Sequence, residues 1–254
     1  MNRLRACYDE LRKILGHGIE EYESVELVEE YRQYWKPKKT RVVLLAESHV
    51  FTRYADRLIS IPQINSLPGY PTEYAKFVYC LGYGEKQLTG NASHPRRDGT
   101  PQFWKILYSC NNHIRNSLDF TPVLSRTTYE QRIKNKVELL LCLKQKGVWL
   151  VDSSIVALYD NGKKPEYRSM LSAIRQSWQG YVRGIIEEAA PEHVICVGKV
   201  VSNLLEKEVK EVVGSRYTTV CQPNAHLSSE HHMRNYELYG RICDGGQKAV
   251  LTRR

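Results

Sequence analysis

The chain has 254 residues, 42% of them hydrophobic, which supports a well-buried core and excludes disorder as its default state. Its 37 Lys and Arg against 28 Asp and Glu leave a formal charge of +9, which suits a polyanionic partner because phosphate contacts release counterions. No apolar run is long enough to cross a bilayer, the N-terminus lacks a signal peptide's apolar segment, and the seven scattered cysteines form no C-x-x-C pair. The expectation is a protein of the reducing cytoplasm, with no membrane partner, disulfide framework or zinc ribbon.

Residues 1–35 read as helical, with Leu4, Leu11, Ile14 and Leu15 on one face and a second helical piece through "VELVEEYRQYW". "RVVLLAESHVF", from Arg41, reads as a buried strand that ends in a carboxylate, a hydroxyl and an imidazole. Beyond it "IPQINSLPGYPTEY" is turn-rich, "YAKFVYCLGYG" is expected to be a short helix, and "TGNASHPRRDGTP" is loop. Thr100 and Pro101 form an N-cap and first-turn proline for a helix through "QFWKILYSC". A longer helix, "YEQRIKNKVELLLCLKQK", stops at Gly147. The apolar strand "VWLVDSS" follows, then a helix with Met170, Ile174, Trp178, Val182 and Ile185 along its buried side. "HVICVG" is a third strand, "KVVSNLLEKEVK" a helix and "RYTTVCQP" a fourth strand.

Helices alternating with short apolar strands, with no hairpin signal, predict a three-layer α/β/α fold around a four-stranded, mostly parallel sheet. Residues 1–40 are read as a helical extension packed on an α/β unit spanning 41–254. In such sheets ligands bind beyond the carboxyl ends of the strands. Those ends carry Glu47-Ser48-His49, Asp152-Ser153-Ser154, Gly198-Lys199 and Gln222-Pro223-Asn224.

Taken in order, these strand ends resemble the uracil-DNA glycosylase superfamily over roughly Arg41 to His232. "AESHVF" takes the place of that family's GQDPYH, GEAPG or GINPG motif, with Glu47 at the glutamate of GEAPG and His49 where the prolines stand. "TPQFWKIL" is similar to the family's Pro-Ser-Leu-x-Asn-Ile helix, with Gln102 at the phosphate-binding serine. "GVWLVD" resembles the GVLLLN strand, with Asp152 replacing the asparagine that reads the flipped base, and "VICVGK" resembles the strand ending in Trp-Gly. "CQPNAHLSSEHH" replaces the HPSPLS loop: Gln222 occupies the histidine's place, His226 comes four residues later, and Leu227-Ser228 match the wedge.

The resemblance implies a monomeric, monofunctional DNA N-glycosylase without cofactor or metal. Its chemistry builds positive charge on the sugar and negative charge on the base. Glu47, assisted by Ser48, suits the sugar or the attacking water, and His226 or Gln222 suits the leaving base. Asp152, Val50, His49, Phe51 and Asn224 would line the base, while Gln102, Lys199, Leu227 and Ser228 would meet DNA, with Leu227 filling the vacated stack. A carboxylate at Asp152 accepts from an exocyclic amine where asparagine would meet a carbonyl. Val50 stands where GQDPYH has a tyrosine that blocks ring carbon five. The expected target is therefore a 5-substituted cytosine, such as those of phage DNA, in an antiviral role.

The rivals are a repair glycosylase for uracil or a damaged base, a nucleic-acid-binding module that has lost the chemistry, and a nucleoside hydrolase or transferase. Single residues also have plainer readings. Glu47 and Asp152 suit helix caps, Ser48 lacks a G-x-S-x-G elbow, and His226, His231 and His232 lack a second group at metal-ligand spacing. Phe51, Tyr54, Tyr70 and Phe77 could stack on a flipped base, although core or surface packing is the plainer reading of any one. The basic clusters Lys36 to Arg41 and His94 to Arg97 are candidate phosphate contacts or solvated loops.

Overall fold

A computed structural model of the chain describes residues 3–90, 100–160, 165–222 and 225–245. Asn224, Pro223 and the His94 to Arg97 cluster lie outside the described residues.

The apolar runs become short strands: β1 Val42–Ala46, β2 Val148–Asp152, β3 His193–Val197 and β4 Tyr217–Val220. All pairings are parallel, in the order β2-β1-β3-β4, so β1 is interior and bonds to both β2 and β3. Every residue of β1 and β2 is buried. A parallel sheet covered on both faces demands such unbroken apolar strands, and each buried Val or Leu contributes about 1.5–3 kcal/mol.

The helices are α1 Arg3–Leu15, α2 Tyr22–Tyr34, α3 Tyr54–Arg57, α4 Thr100–Ser109, α5 Tyr129–Lys146, α6 Tyr167–Ser177, α7 Arg183–Ala189, α8 Lys199–Val213 and α9 Ser229–Cys243. Helices α1, α6, α7 and α8 pack together, as do α4, α5 and α9, which gives the two outer layers of an α/β/α sandwich. The N-terminal helices are part of this body, because Leu11, Tyr31 and Trp35 belong to the same hydrophobic cluster as the sheet.

Gly147 ends α5 in the left-handed region (φ +78°), and a Cβ there would lie 2.6 Å from the Lys39 carbonyl. The turn therefore needs glycine for its conformation and for the close approach of the chain entering β1. The helical face with Met170, Ile174, Trp178, Val182 and Ile185 is buried as expected, although a π-turn at Trp178–Val182 separates α6 from α7.

Two expectations are corrected and one helix is added. "YAKFVYCLGYG" is no helix: it folds as successive turns, with Cys80 N–H donating to Phe77, Tyr83 to Cys80 and Glu85 to Gly82. Tyr74, Phe77, Tyr79 and Tyr83 are all buried there, and one helical stripe could not bury aromatics pointing in so many directions. Ile14, grouped with Leu4, Leu11 and Leu15 on one face of α1, is exposed, and the buried side consists of Leu4, Cys7, Tyr8 and Leu11. Finally, α9 was not anticipated behind the His-rich "SSEHH". Its Ser228 cap and the buried Tyr236, Tyr239 and Cys243 were the available signal.

Candidate functional site

β1 leads to the sheet edge at β2, while β3 leads the opposite way to β4, so the switch in strand order falls beside the C-terminal end of β1. Ligands of open α/β sheets bind at such a switch point. Glu47 is the first residue beyond β1. Its Oε1 accepts the Tyr159 hydroxyl at 2.7 Å, and its Oε2 accepts the Gln222 amide at 2.7 Å. Tyr159 comes from the loop after β2 and Gln222 from the loop after β4. One carboxylate is thus the meeting point of three strand ends. Glu47 is 6% exposed, whereas Tyr159 and Gln222 are half-buried and border the solvent.

The backbone fixes this arrangement. Ser153 N–H donates to the Ala46 carbonyl at 2.8 Å, Ser154 N–H to that of Glu47 at 3.0 Å, and Phe51 N–H to that of Tyr159 at 3.0 Å. The Ser153 hydroxyl adds a further bond to the Glu47 carbonyl. Gly198, between β3 and α8, has φ +116°, and a Cβ there would lie 2.8 Å from the Gln222 side chain. Only glycine leaves Gln222 the room to reach across to Glu47. Burial and the Glu47 carboxylate push the Tyr159 hydroxyl upward, so it remains a proton donor at neutral pH.

A second polar group, almost closed to solvent, gathers around His49 and Asp152. His49 Nε2 is 2.7 Å from Glu20 Oε1, and its Nδ1 is 3.5 Å from Asp152 Oδ2. Arg32 Nη2 donates to the same Asp152 oxygen at 3.2 Å, and Arg32 is also paired with Glu29, which accepts the Tyr181 hydroxyl at 2.7 Å. Burial alone would pull the imidazole down, but Glu20 and Asp152 outweigh it and raise His49 to about 9. Glu20, Arg32 and Tyr159 were not singled out in the sequence, since nothing in their local context distinguishes them from ordinary helix-end or loop residues.

Among the sequence candidates, Glu47 and Gln222 meet directly, while Asp152 and His49 meet in the second, buried group. The Ser48 Oγ accepts the Leu158 N–H at 3.2 Å, a tie between the two loops. Val50 is half-buried, its N–H held by the Lys76 carbonyl, and Phe51 is half-buried beside it. His226 is exposed, with no hydrogen bond to another described residue, and Leu227 is half-buried. Ser228 caps α9 by accepting the His231 N–H. Lys199 is exposed at the start of α8, and Gln102 sits in the first turn of α4, its Oε1 buried without a partner among the described residues. No hydrogen bond among the described residues joins Gln102, Lys199 or His226 to the Glu47 cluster. Tyr70 and Phe77 are core residues, whereas Tyr54 is exposed on α3.

Among the described residues no group of three His, Cys, Asp or Glu side chains is disposed to hold a metal ion, and no helix is long and apolar enough to cross a membrane. His231 and His232 turn instead to the Ser228 hydroxyl and the Ala225 carbonyl. No protein-family model, curated protein or solved structure matches the chain. A buried carboxylate held by two neutral donors is fixed in place, and can orient a water or face a developing cation.

Proposed function

We propose that the protein is a DNA N-glycosylase that extrudes a base and hydrolyses its bond to the sugar, leaving an abasic site. The observation that carries this reading is the Glu47 carboxylate held by Tyr159 and Gln222 where three strand ends meet. The resemblance in motif order and the net charge of +9 support it. Glu47 orients the attacking water and faces the cationic sugar, while His226, on the exposed loop before α9, approaches the leaving base. Asp152 reads the base edge, and the modest side chain of Val50 leaves room for a substituent on ring carbon five. The target is a 5-substituted cytosine, in keeping with removal of modified phage DNA.

The test offers duplex and single-stranded DNA carrying uracil, cytosine or 5-substituted cytosines and reads alkali-labile abasic sites. Cleavage of the substituted cytosines, lost by about 10²-fold or more in Glu47→Gln, is expected. Activity confined to uracil would overturn the cytosine assignment.

One observation favours a second reading, a binding module of the same fold without catalysis. Both Glu47 oxygens already hold protein donors, and Asp152 is 3% exposed. DNA binding with no abasic product from any of these substrates would select it.

A further inference from the structure

Glu20 lies between α1 and α2, outside the strand ends in sequence, yet its side chain is fully buried and bonded to the loops that follow them. Its Oε1 accepts His49 Nε2 at 2.7 Å and the Ala157 N–H at 2.6 Å, and its Oε2 accepts the Thr52 N–H at 3.4 Å. One carboxylate thereby ties the loop after β1 to the loop after β2, the two loops that carry Glu47 and Tyr159. The other ring nitrogen of His49 faces Asp152 Oδ2 at 3.5 Å, and Arg32 approaches that same oxygen. The Phe77 ring stands edge-on to the imidazole, 6.3 Å between centroids. One contact further out are Arg32 and Glu29 of α2, with Tyr181 of the π-turn.

An imidazole between two carboxylates is favoured as the double-donor cation, because a neutral ring would turn a lone pair toward one of them; on the Asp152 side the contact is ion-pair proximity at 3.5 Å rather than a hydrogen bond. We propose that His49 is a buried imidazolium braced by Glu20, and that this pair is the positioning device that fixes the Asp152 carboxylate and the edge the site offers to a bound base. The last part rests on the base-excising reading above. Asp152 Oδ2 accepts from Arg32 and lies 3.5 Å from His49 Nδ1, and on this proposal Oδ1 is the acceptor offered to the ligand. A base edge bearing an N–H donor, such as an exocyclic amine, is matched, and a carbonyl in the same place is not. The N-terminal segment is on this account a working part of the site, since it supplies both Glu20 and Arg32.

The test combines a spectroscopic readout with a kinetic one on the full chain. In ¹⁵N-histidine spectra of the wild-type protein, His49 is expected to keep both ring nitrogens protonated at neutral pH and to titrate only near pH 9. Glu20→Gln, checked for folding by circular dichroism, should titrate lower by about one pH unit or more, because one of the two opposing charges is gone. In the same variant the preference for amine-bearing over carbonyl-bearing bases should fall by about tenfold, with the loss in kcat/KM for the amine-bearing base alone. A neutral His49 at pH 7 in the wild type overturns the brace, whether or not the variant folds. So does a folded Glu20→Gln whose titration and base preference are both unchanged. If the wild type excises no base while His49 is doubly protonated, the brace stands and the excision reading falls.

Discussion

Glu47 shows how a single side chain acquires a role from its surroundings. As the first polar residue beyond a strand buried along its whole length, it would normally turn to solvent or cap the next helix. Instead its two oxygens are claimed by donors from two other loops, and the side chain is held in one place. Tyr159→Phe removes one donor while keeping the ring. A single-turnover assay should then show excision slowed by about tenfold, with the midpoint of thermal unfolding little changed, since net hydrogen bonds contribute only about 1 kcal/mol each. Gln222 is committed to Glu47, so on the proposed base-excising reading the charge on the departing base would fall to His226. His226→Ala should lower kcat without moving the unfolding midpoint, because the ring is exposed. A silent His226→Ala would return that task to Gln222.

At the scale of elements, the connections shape the site more than the strands do. Gly198 combines a positive φ with a Cβ position 2.8 Å from the Gln222 side chain. Gly198→Ala should therefore cost both backbone strain and the Gln222–Glu47 bond, a loss of about 2 kcal/mol or more in denaturant titration, accompanied by slower excision. Ser228, matched to the wedge loop by sequence, acts as the N-cap of α9. Ser228→Ala should destabilise the protein by about 1 kcal/mol, read from the same titration, whatever its effect on DNA. An effect on DNA affinity with unchanged stability would reverse that assignment. The π-turn at Trp178–Val182 places Tyr181 within 2.7 Å of Glu29, so an irregularity in one helix serves the buried charges next to the sheet.

For the whole molecule, the buried charges couple stability to pH. His49 is raised above its ordinary value by Glu20 and Asp152, against the pull of burial. Its contribution to stability is therefore complete below the ordinary histidine range, near pH 6.5, and is lost as pH rises through about 9. Glu85 behaves in the opposite sense. Burial would raise it, but Arg132 and Lys136, at 2.6 Å each, outweigh burial and lower it. Its contribution is present above the ordinary carboxylate range and is lost as pH falls through its lowered value. Unfolding midpoints measured across pH should decline at both ends, and His49→Gln should flatten the alkaline side alone. An alkaline decline unchanged in that variant would assign it to other groups.

The linear chain alone reveals the α/β layering and a mostly parallel sheet, because unbroken apolar runs such as "VVLLA" and "VWLVD" suit strands buried on both faces. It also located the polar strand ends, and with them Glu47, His49, Asp152 and Gln222. Turn chemistry was legible where a glycine was demanded, as at Gly147, and misleading where aromatics were dense, as from Tyr74 to Gly84. The partners of those side chains are set by the fold. Tyr159 stands 112 residues from Glu47, and Glu20 stands 29 residues from His49. Periodicity reports which face of an element is buried. It carries no information on which distant polar group waits there, because that pairing is set by how strands order themselves in the sheet and how their loops cross at its edge.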